Sequence, residues 1–326
     1  MTFVCPACKG ALTGFYECRS CARSFPVIHG IPDFRLFPDP YIGIEEDRIK
    51  AANLFDAPQT RGFREMLDYY YSITKEVSCD LAARWTEHAV AGAAISAPLL
   101  REAGFDGGRS LLDVGCATGG LLIAAKSGFE ALVGVDVALR WLIIGAVRLR
   151  EAGVRADLVC ANAEALPFPG ESFDHITSVD TVEHLRDAGA AIREAHRVAT
   201  PGARSLWATN NRYAPFPDPQ VHLWGVGWLP RAWQADYVAW RRNDLHRYRV
   251  QMRSVWELDR LVREAGFHTQ GAHAAPLFAP HRPNLSSLLA IYNRIRRAPL
   301  LKGVAPRIWI IGTKVRHQRQ SQLLFG

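Results

Sequence analysis

Between positions 109 and 210 short apolar runs alternate with stretches of helical periodicity. Positions 110–114, 131–135, 156–160, 173–179 and 204–209 read as strands, and 120–127, 139–152 and 188–198 as helices. Strands that alternate with helices are joined by right-handed crossovers, so the pattern predicts an α/β fold with a parallel sheet covered on both faces. Before it, positions 41–105 read mostly as helix, with an amphipathic, tyrosine-rich stretch at 63–73. After it, 213–253 breaks the rhythm: Pro215, Pro217 and Pro219 come first, then a segment dense in tryptophan and arginine. Order resumes at Ser254-Val255-Trp256-Glu257, where the hydroxyl and the carboxylate can each satisfy an orphan backbone N–H at a helix start. That helix is expected to stop at Gly266, and 307–311 reads as a last strand before a basic tail. The expected organisation is a cysteine-rich head (1–37), a helical lead-in (38–108), the α/β core (109–212), an inserted cap (213–253) and the end of the core with a basic region (254–326).

Composition changes this picture at three points. With 48% hydrophobic and 22% charged residues in 326, the chain can bury a core without disulfides. The longest apolar stretch, 89–100, is too short to span a bilayer and carries Gly92 and Pro98. Met1-Thr2-Phe3-Val4-Cys5 has neither a basic region nor an apolar run, so no secretory signal and a cytoplasmic location are expected. The net charge of +7 is unevenly spread: 1–229 holds 22 Lys+Arg against 27 Asp+Glu, and 230–326 holds 17 against 5. A basic body on a mildly acidic one implies an anionic partner (RNA, a phosphorylated substrate or an anionic membrane surface) or else an arginine-rich solvated face.

Four of the seven cysteines fall in the head, as Cys5-Pro6-Ala7-Cys8 and Cys18-Arg19-Ser20-Cys21. Two C-x-x-C pairs can enclose one tetrahedral Zn²⁺ with no open position, a structural site. A head this short has too little apolar surface to fold without such a staple. A redox dithiol would account for one pair and not for two. Cys79, Cys116 and Cys160 are scattered, and the last two read as small core residues. Together with Phe25-Pro26-Val27-Ile28-His29-Gly30-Ile31-Pro32, the head resembles the zinc-ribbon proteins that activate tRNA and protein methyltransferases. That resemblance implies Cys5, Cys8, Cys18 and Cys21 as ligands, with His29 a loop residue, and leaves open a protein partner through the ribbon.

Leu111-Leu112-Asp113-Val114-Gly115-Cys116-Ala117-Thr118-Gly119-Gly120 follows a strand and opens a helix. Glycines there let the chain turn sharply and approach a ligand closely. Asp136 ends the next strand, where a carboxylate can accept both hydroxyls of a ribose. The loop is not a nucleoside triphosphate P-loop, which requires G-x-x-x-x-G-K-[ST]. Asp113-x-Gly115-x-Ala117-x-Gly119 resembles the first motif of the class I methyltransferases that use S-adenosylmethionine. Asn162-Ala163-Glu164 and Glu194 to Gly202 match later landmarks in order and spacing, closest to the quinone-biosynthesis and small-molecule group.

The resemblance implies a Rossmann-like doubly wound sheet. It also assigns cofactor-binding roles to Asp113, Gly115, Ala117, Gly119, Asp136, Val137, Asn162, Ala163 and Val179. Two departures stand out. Ala117 replaces the usual middle glycine, which is tolerable if its φ stays negative. Asn162 replaces a common aspartate and can still accept from an adenine amino group.

Methyl transfer needs alignment above all, and a base only where the acceptor enters protonated. Ser178 to His184 would stand beside the methyl group, with His184 first, then Asp180, then His222 as candidate bases. His184 could instead be a helix-start residue, and Asp180 a solvated strand end. The absence of an [ND]-P-P-[YFW] segment after the fourth core strand argues against amino methylation of adenine. Trp224, Trp228, Trp233, Tyr237 and Trp240, with Arg241, Arg242, Arg247 and Arg249, would either enclose an apolar, anionic or lipid-like acceptor or pack the cap onto the core. The expected activity is methylation of a small-molecule or lipid-like acceptor, at oxygen. The alternatives are methylation of ribosomal or transfer RNA, and a cofactor-binding scaffold or activator.

Overall fold

The computed structural model describes residues 1–57, 60–74, 77–242 and 248–316. The head is two short antiparallel pairs: β1 (Glu17–Cys18) with β2 (Arg23–Ser24), and β3 (Val27–Ile28) with β4 (Ile31–Pro32). It is not a free-standing unit. Phe34 is fully buried among the rings of Phe3, Tyr16 and Phe25 at 4.9–5.3 Å, and Phe3 also meets Phe168 of the core. The Val4 N–H donates to the Pro167 carbonyl, and Lys9 pairs with Glu194 at 2.6 Å.

Three helices follow: α1 (Ile44–Phe55), α2 (Phe63–Ser72) and α3 (Cys79–Ala103). The core then runs β5 (Gly108–Val114), α4 (Gly120–Ala125), β6 (Phe129–Asp136), α5 (Leu139–Glu151), β7 (Asp157–Cys160), β8 (Phe173–Val179), α6 (Ala188–Val198) and β9 (Ala199–Asn210). Within the insertion lies α7 (Arg231–Arg242); beyond it come α8 (Val255–Glu264), β10 (His268–Thr269), β11 (His273–Ala274), α9 (Ser286–Ile295) and β12 (Arg307–Thr313). The sheet order is β10-β12-β9-β8-β5-β6-β7, with β11 also paired to β12. Strands β5 to β9 are parallel to their neighbours, and β12 is antiparallel to β9. This is the doubly wound, Rossmann-like architecture. The order reverses between β5 and β8, so the crevice beyond their carboxyl ends is where such sheets bind ligands.

The capping box forms as expected: the Ser254 N–H donates to Glu257 at 2.8 Å, and the Glu257 N–H donates to the Ser254 hydroxyl at 3.3 Å. Gly266 sits at φ +101° just past that helix. Strand β9 starts at Ala199, five residues before the sequence pattern shows it, because Pro201 and Gly202 at its start read as a turn.

The free edge of the sheet at β7 is covered by the head. The chain leaving β4 lies parallel beside β7, Asp33 bridging to Cys160, and the Phe34 N–H donates to the Cys160 carbonyl at 2.7 Å. An exposed strand edge invites foreign pairing, and the linker occupies it. A buried ion network pins it there. Arg35 forks onto Asp33 and reaches Asp47 on α1 at 2.7 Å; Asp47 also accepts from Arg140 on α5 at 2.5 Å, and Arg140 reaches Asp39 at 2.9 Å. Arg48 pairs with Asp33 at 2.8 Å, so three guanidiniums face three carboxylates.

Candidate active site

The glycine turn after β5 is shaped by contact as well as by φ. Gly115 sits at φ +80°, and a Cβ there would lie 2.1 Å from the Thr181 hydroxyl oxygen. Gly119, at φ +73°, caps α4. Ala117 departs from expectation: its φ is +44°, not negative. A left-handed alanine is strained by its Cβ, and an acidic side chain holds it in place. One Asp136 oxygen accepts from the Ala117 N–H at 2.9 Å and the other from the Ala138 N–H at 2.8 Å. Burial raises the Asp136 pKa against those two hydrogen bonds.

Asp113 is buried at the end of β5. The Thr177 hydroxyl donates to it at 2.9 Å, and among the described residues no cation pairs with it. Burial, with the nearby Asp136 adding, pushes its pKa up to about 7. A buried carboxyl that lacks a positive partner, beside Gly115 where the turn has no room for a Cβ, fits the ammonium end of S-adenosylmethionine.

Asn162, expected beside adenine, meets the linker after β4. The Asn162 carboxamide oxygen accepts from the Leu36 and Phe37 N–H groups at 2.8 and 3.3 Å, and its nitrogen donates to the Phe37 carbonyl at 3.0 Å. The amide that was to meet adenine is thus taken up by the linker. Val137 gives its carbonyl to Arg35 at 3.2 Å, and Ala163 is buried in the turn after β7. Val179 ends β8, and its carbonyl accepts from the Thr181 hydroxyl.

The three candidate bases separate. Asp180, at φ +55°, is held by Arg307 of β12 at 2.6 Å. His222 is exposed in the insertion, where its N–H donates to the Asp218 carbonyl. His184 lies among polar side chains: Tyr41 Oη is 2.6 Å from Nδ1 and Gln220 Nε2 is 3.5 Å from Nε2. Tyr41 comes from the linker and Gln220 from the insertion, so three distant segments meet at this ring. Beside it, buried Glu183 accepts from Thr209 at 2.7 Å and Asn210 at 3.2 Å, and burial raises its pKa. Tyr41 and Gln220 were not singled out from the sequence; they lie far from His184 in it and carry no motif, whereas Glu183 falls in the 178–184 stretch expected beside the methyl group.

The insertion covers this end of the sheet. The Gln251 N–H donates to the Glu183 carbonyl, Tyr248 donates to Asp218, and Arg249 reaches the Pro40 carbonyl. A cavity of about 110 Å³ lies between the end of β9 and the insertion, bordered by Asn210, Asn211, Phe216, Asp218, Trp228 and Met252. A larger hollow of about 530 Å³, at Gly108, Phe129 and Asp174, opens at the opposite end of the sheet. Trp228 borders the smaller cavity although it is 57% exposed, whereas Trp224, Trp233 and Trp240 are 62–76% exposed and neither line that cavity nor pack onto the core. Arg247 lies outside the described residues.

In the head the four cysteine Sγ atoms lie within 4.8 Å of one another, with Cys5–Cys21 at 3.5 Å and Cys8–Cys18 at 3.4 Å. A tetrahedral Zn²⁺ with Zn–S of about 2.3 Å sets its sulfurs roughly 3.8 Å apart, so the thiols fit that ion. His29 is not among them; its ring stacks on Phe55 at 4.0 Å. Cys116 and Cys160 are buried, as expected of core residues.

Residues 112–206 match the family described as "Methyltransferase domain". The match spans β5 to most of β9. Relatives matching over a longer stretch include a ubiquinone biosynthesis O-methyltransferase of Thiobacillus denitrificans, 32% identical over 167 residues, which are 50% of this chain and 66% of that protein. The protein of the same name from Azorhizobium caulinodans is 37% identical over 107 residues, 32% of this chain and 42% of the relative. The chain thus spans less than two thirds of the length of these curated relatives. Among solved structures, a SAM-dependent methyltransferase of Aquifex aeolicus is 15% identical with a TM-score of 0.47, covering 69% of this chain and 93% of that one. Among the described residues no helix is long and apolar enough to cross a membrane.

Proposed function

We propose that this protein transfers a methyl group from S-adenosylmethionine to a hydroxyl of a small-molecule or lipid-like acceptor. The observation that carries the reading is Asp113: a buried carboxyl with no cation among the described residues, beside the Gly115 turn where a Cβ has no room, at the switch point of a sheet whose strands match a methyltransferase-domain family. The O-methyltransferase names of the relatives support oxygen as the accepting atom.

S-adenosylmethionine, when bound, supplies an electrophilic methyl on a sulfonium. Asp113 and the turn of Gly115, Ala117 and Gly119 would hold its amino-acid end, and Asp136 with Val137 its ribose. The adenine end falls to Ala163, Val179 and the linker that Asn162 holds. His184 takes the acceptor's proton. With the Gln220 amide nitrogen facing Nε2, that atom is the ring's acceptor, and Nδ1 carries the proton toward Tyr41. The contact at 3.5 Å is weak, so an acceptor hydroxyl can displace the amide and give its proton to Nε2. The four-cysteine head holds a structural Zn²⁺.

Calorimetric titration with S-adenosylhomocysteine tests the first half. Micromolar binding, lost in Asp136→Ala, is expected; a folded protein that binds none would overturn the reading. A screen of hydroxylated aromatics, prenylated phenols, sugars and ribosomal RNA tests the second. Turnover on RNA without turnover on any hydroxylated small molecule would refute the acceptor class.

A further inference from the structure

Helix α9 is inside out. A surface helix normally turns its apolar stripe to the core and its polar face to water. Here the inward stripe holds half-buried Leu289 but is otherwise polar, and its polar residues bind backbone. Tyr292 donates to the Ala275 carbonyl at 2.9 Å. The Asn293 amide exchanges two hydrogen bonds with Leu277 at 2.9 Å each, and Arg296 donates to the Ala274 carbonyl at 2.8 Å. No residue of α9 is buried, and Leu288, Ile291 and Ile295, spaced as one stripe, are 65%, 60% and 51% exposed. Leu300, just beyond, is 90% exposed.

The surroundings are cationic and rich in exposed indoles. From 265 to 326 the chain holds nine Lys+Arg and no Asp or Glu. Arg294 and Lys302 are exposed, and neither has a carboxylate partner among the described residues. The five exposed tryptophans of the chain all fall in 224–256. One of them, Trp256, touches the loop after α9: a Cβ on Gly303 would lie 3.4 Å from its ring.

We propose that α9 and the loop after it dock this protein on the surface of an anionic lipid bilayer. Leu288, Ile291 and Ile295 would enter the acyl boundary, and Arg294 and Lys302 would meet the headgroups. Outward apolar residues with a cationic rim, and Trp256 beside the loop after them, form the pattern of a helix lying in the interface plane. Charge complementarity favours lipid over a second copy, because two copies would bring two cationic faces together. The inference goes beyond the methyl-transfer reading, since vesicle binding is read without cofactor or acceptor and the two can fail separately.

The test is sedimentation of the full zinc-loaded chain with vesicles of phosphatidylcholine, alone or with 30 mol% phosphatidylglycerol (a probe composition, about one anionic lipid in three). Binding to the mixed vesicles is expected, at least about tenfold weaker on neutral vesicles and in high salt. Leu288→Glu/Ile291→Glu/Ile295→Glu should lower it at least about tenfold while S-adenosylhomocysteine binding persists. Arg294→Glu/Lys302→Glu, on exposed side chains that pack nothing, gives the same loss if the first variant fails to fold. No binding to either vesicle overturns the proposal. So does a dimer in analytical ultracentrifugation that the triple variant dissolves, which would make the face a contact between copies.

Discussion

Ionisation of Asp113 should set the pH dependence of cofactor affinity. Burial carries its pKa from 3.8 to about 7 in the ligand-free protein, roughly 4 kcal/mol against the charged form at about 1.36 kcal/mol per pH unit. At pH 6 only about one molecule in ten has this carboxylate ionised, and an ammonium needs the ionised form. The dissociation constant of S-adenosylhomocysteine should therefore fall about tenfold between pH 5.5 and 6.5 and level off above pH 7.5. Asp113→Asn removes a buried charge-assisted hydrogen bond worth about 1.5–3 kcal/mol, so binding weakens by roughly 10- to 150-fold and the slope disappears. Stability moves the other way. Because the folded pKa is raised, the native state keeps a proton that the unfolded chain releases. Asp113 is therefore neutral to stability below about pH 4, costs progressively more up to about pH 7, and costs a constant amount above. Asp113→Asn should thus stabilise the ligand-free protein at pH 8 by up to about 4 kcal/mol, and by less at pH 5.5. Calorimetry across pH 5.5–8 and denaturant melts read both effects. A wild-type affinity flat over that range, or an Asn variant with the wild-type slope, would refute the reasoning.

Ala117→Gly should stabilise the protein by about 0.5–1 kcal/mol in a denaturant melt, since relief of left-handed strain of about 1–2 kcal/mol exceeds the added backbone entropy. Gly115→Ala drives a Cβ into Thr181, so S-adenosylhomocysteine affinity should drop at least about tenfold; an unchanged affinity would mean that the turn is not a ligand site. Asp47→Ala strips both Arg35 and Arg140 of a buried partner, and a loss of about 3–5 kcal/mol, or roughly 5–7 °C in Tm, is expected by thermal unfolding. Chelation should release one Zn²⁺ per chain, read by a metallochromic dye, and should weaken S-adenosylhomocysteine binding, because the head anchors the linker that holds Asn162 and Val137.

What could be read from the sequence was local. The core strands and helices, the capping box at Ser254 and the four clustered thiols depend on residues within about twenty positions of one another, where periodicity and spacing act directly. What could not be read was set by tertiary contact. Ala117 takes a positive φ because Asp136, nineteen residues on, holds its N–H, and the Asn162 amide is engaged by a linker 125 residues upstream in the chain. The two-residue strands β10 and β11 are too short to show a period, and α9 follows the usual period with its faces exchanged.

The linker explains why the head is joined to this core rather than merely carried by it. Burying five charged side chains, with Arg48 at their edge, adds little stability over an apolar core of equal volume, so their worth lies in fixing one arrangement. That arrangement places Arg35 on the Val137 carbonyl, Leu36 and Phe37 on Asn162, and Tyr41 on His184. One run of seven residues therefore touches Val137 and Asn162, the residues proposed to hold the ribose and adenine, and the proposed base. Cys18 and Cys21 sit upstream of it, and the same buried cluster holds Cys5, Cys18, Phe34 and Val135. A change in metal occupancy thus has a packed path to the cofactor crevice. Under the proposed function the head would act on its own core through that path without the translational entropy of assembling two chains.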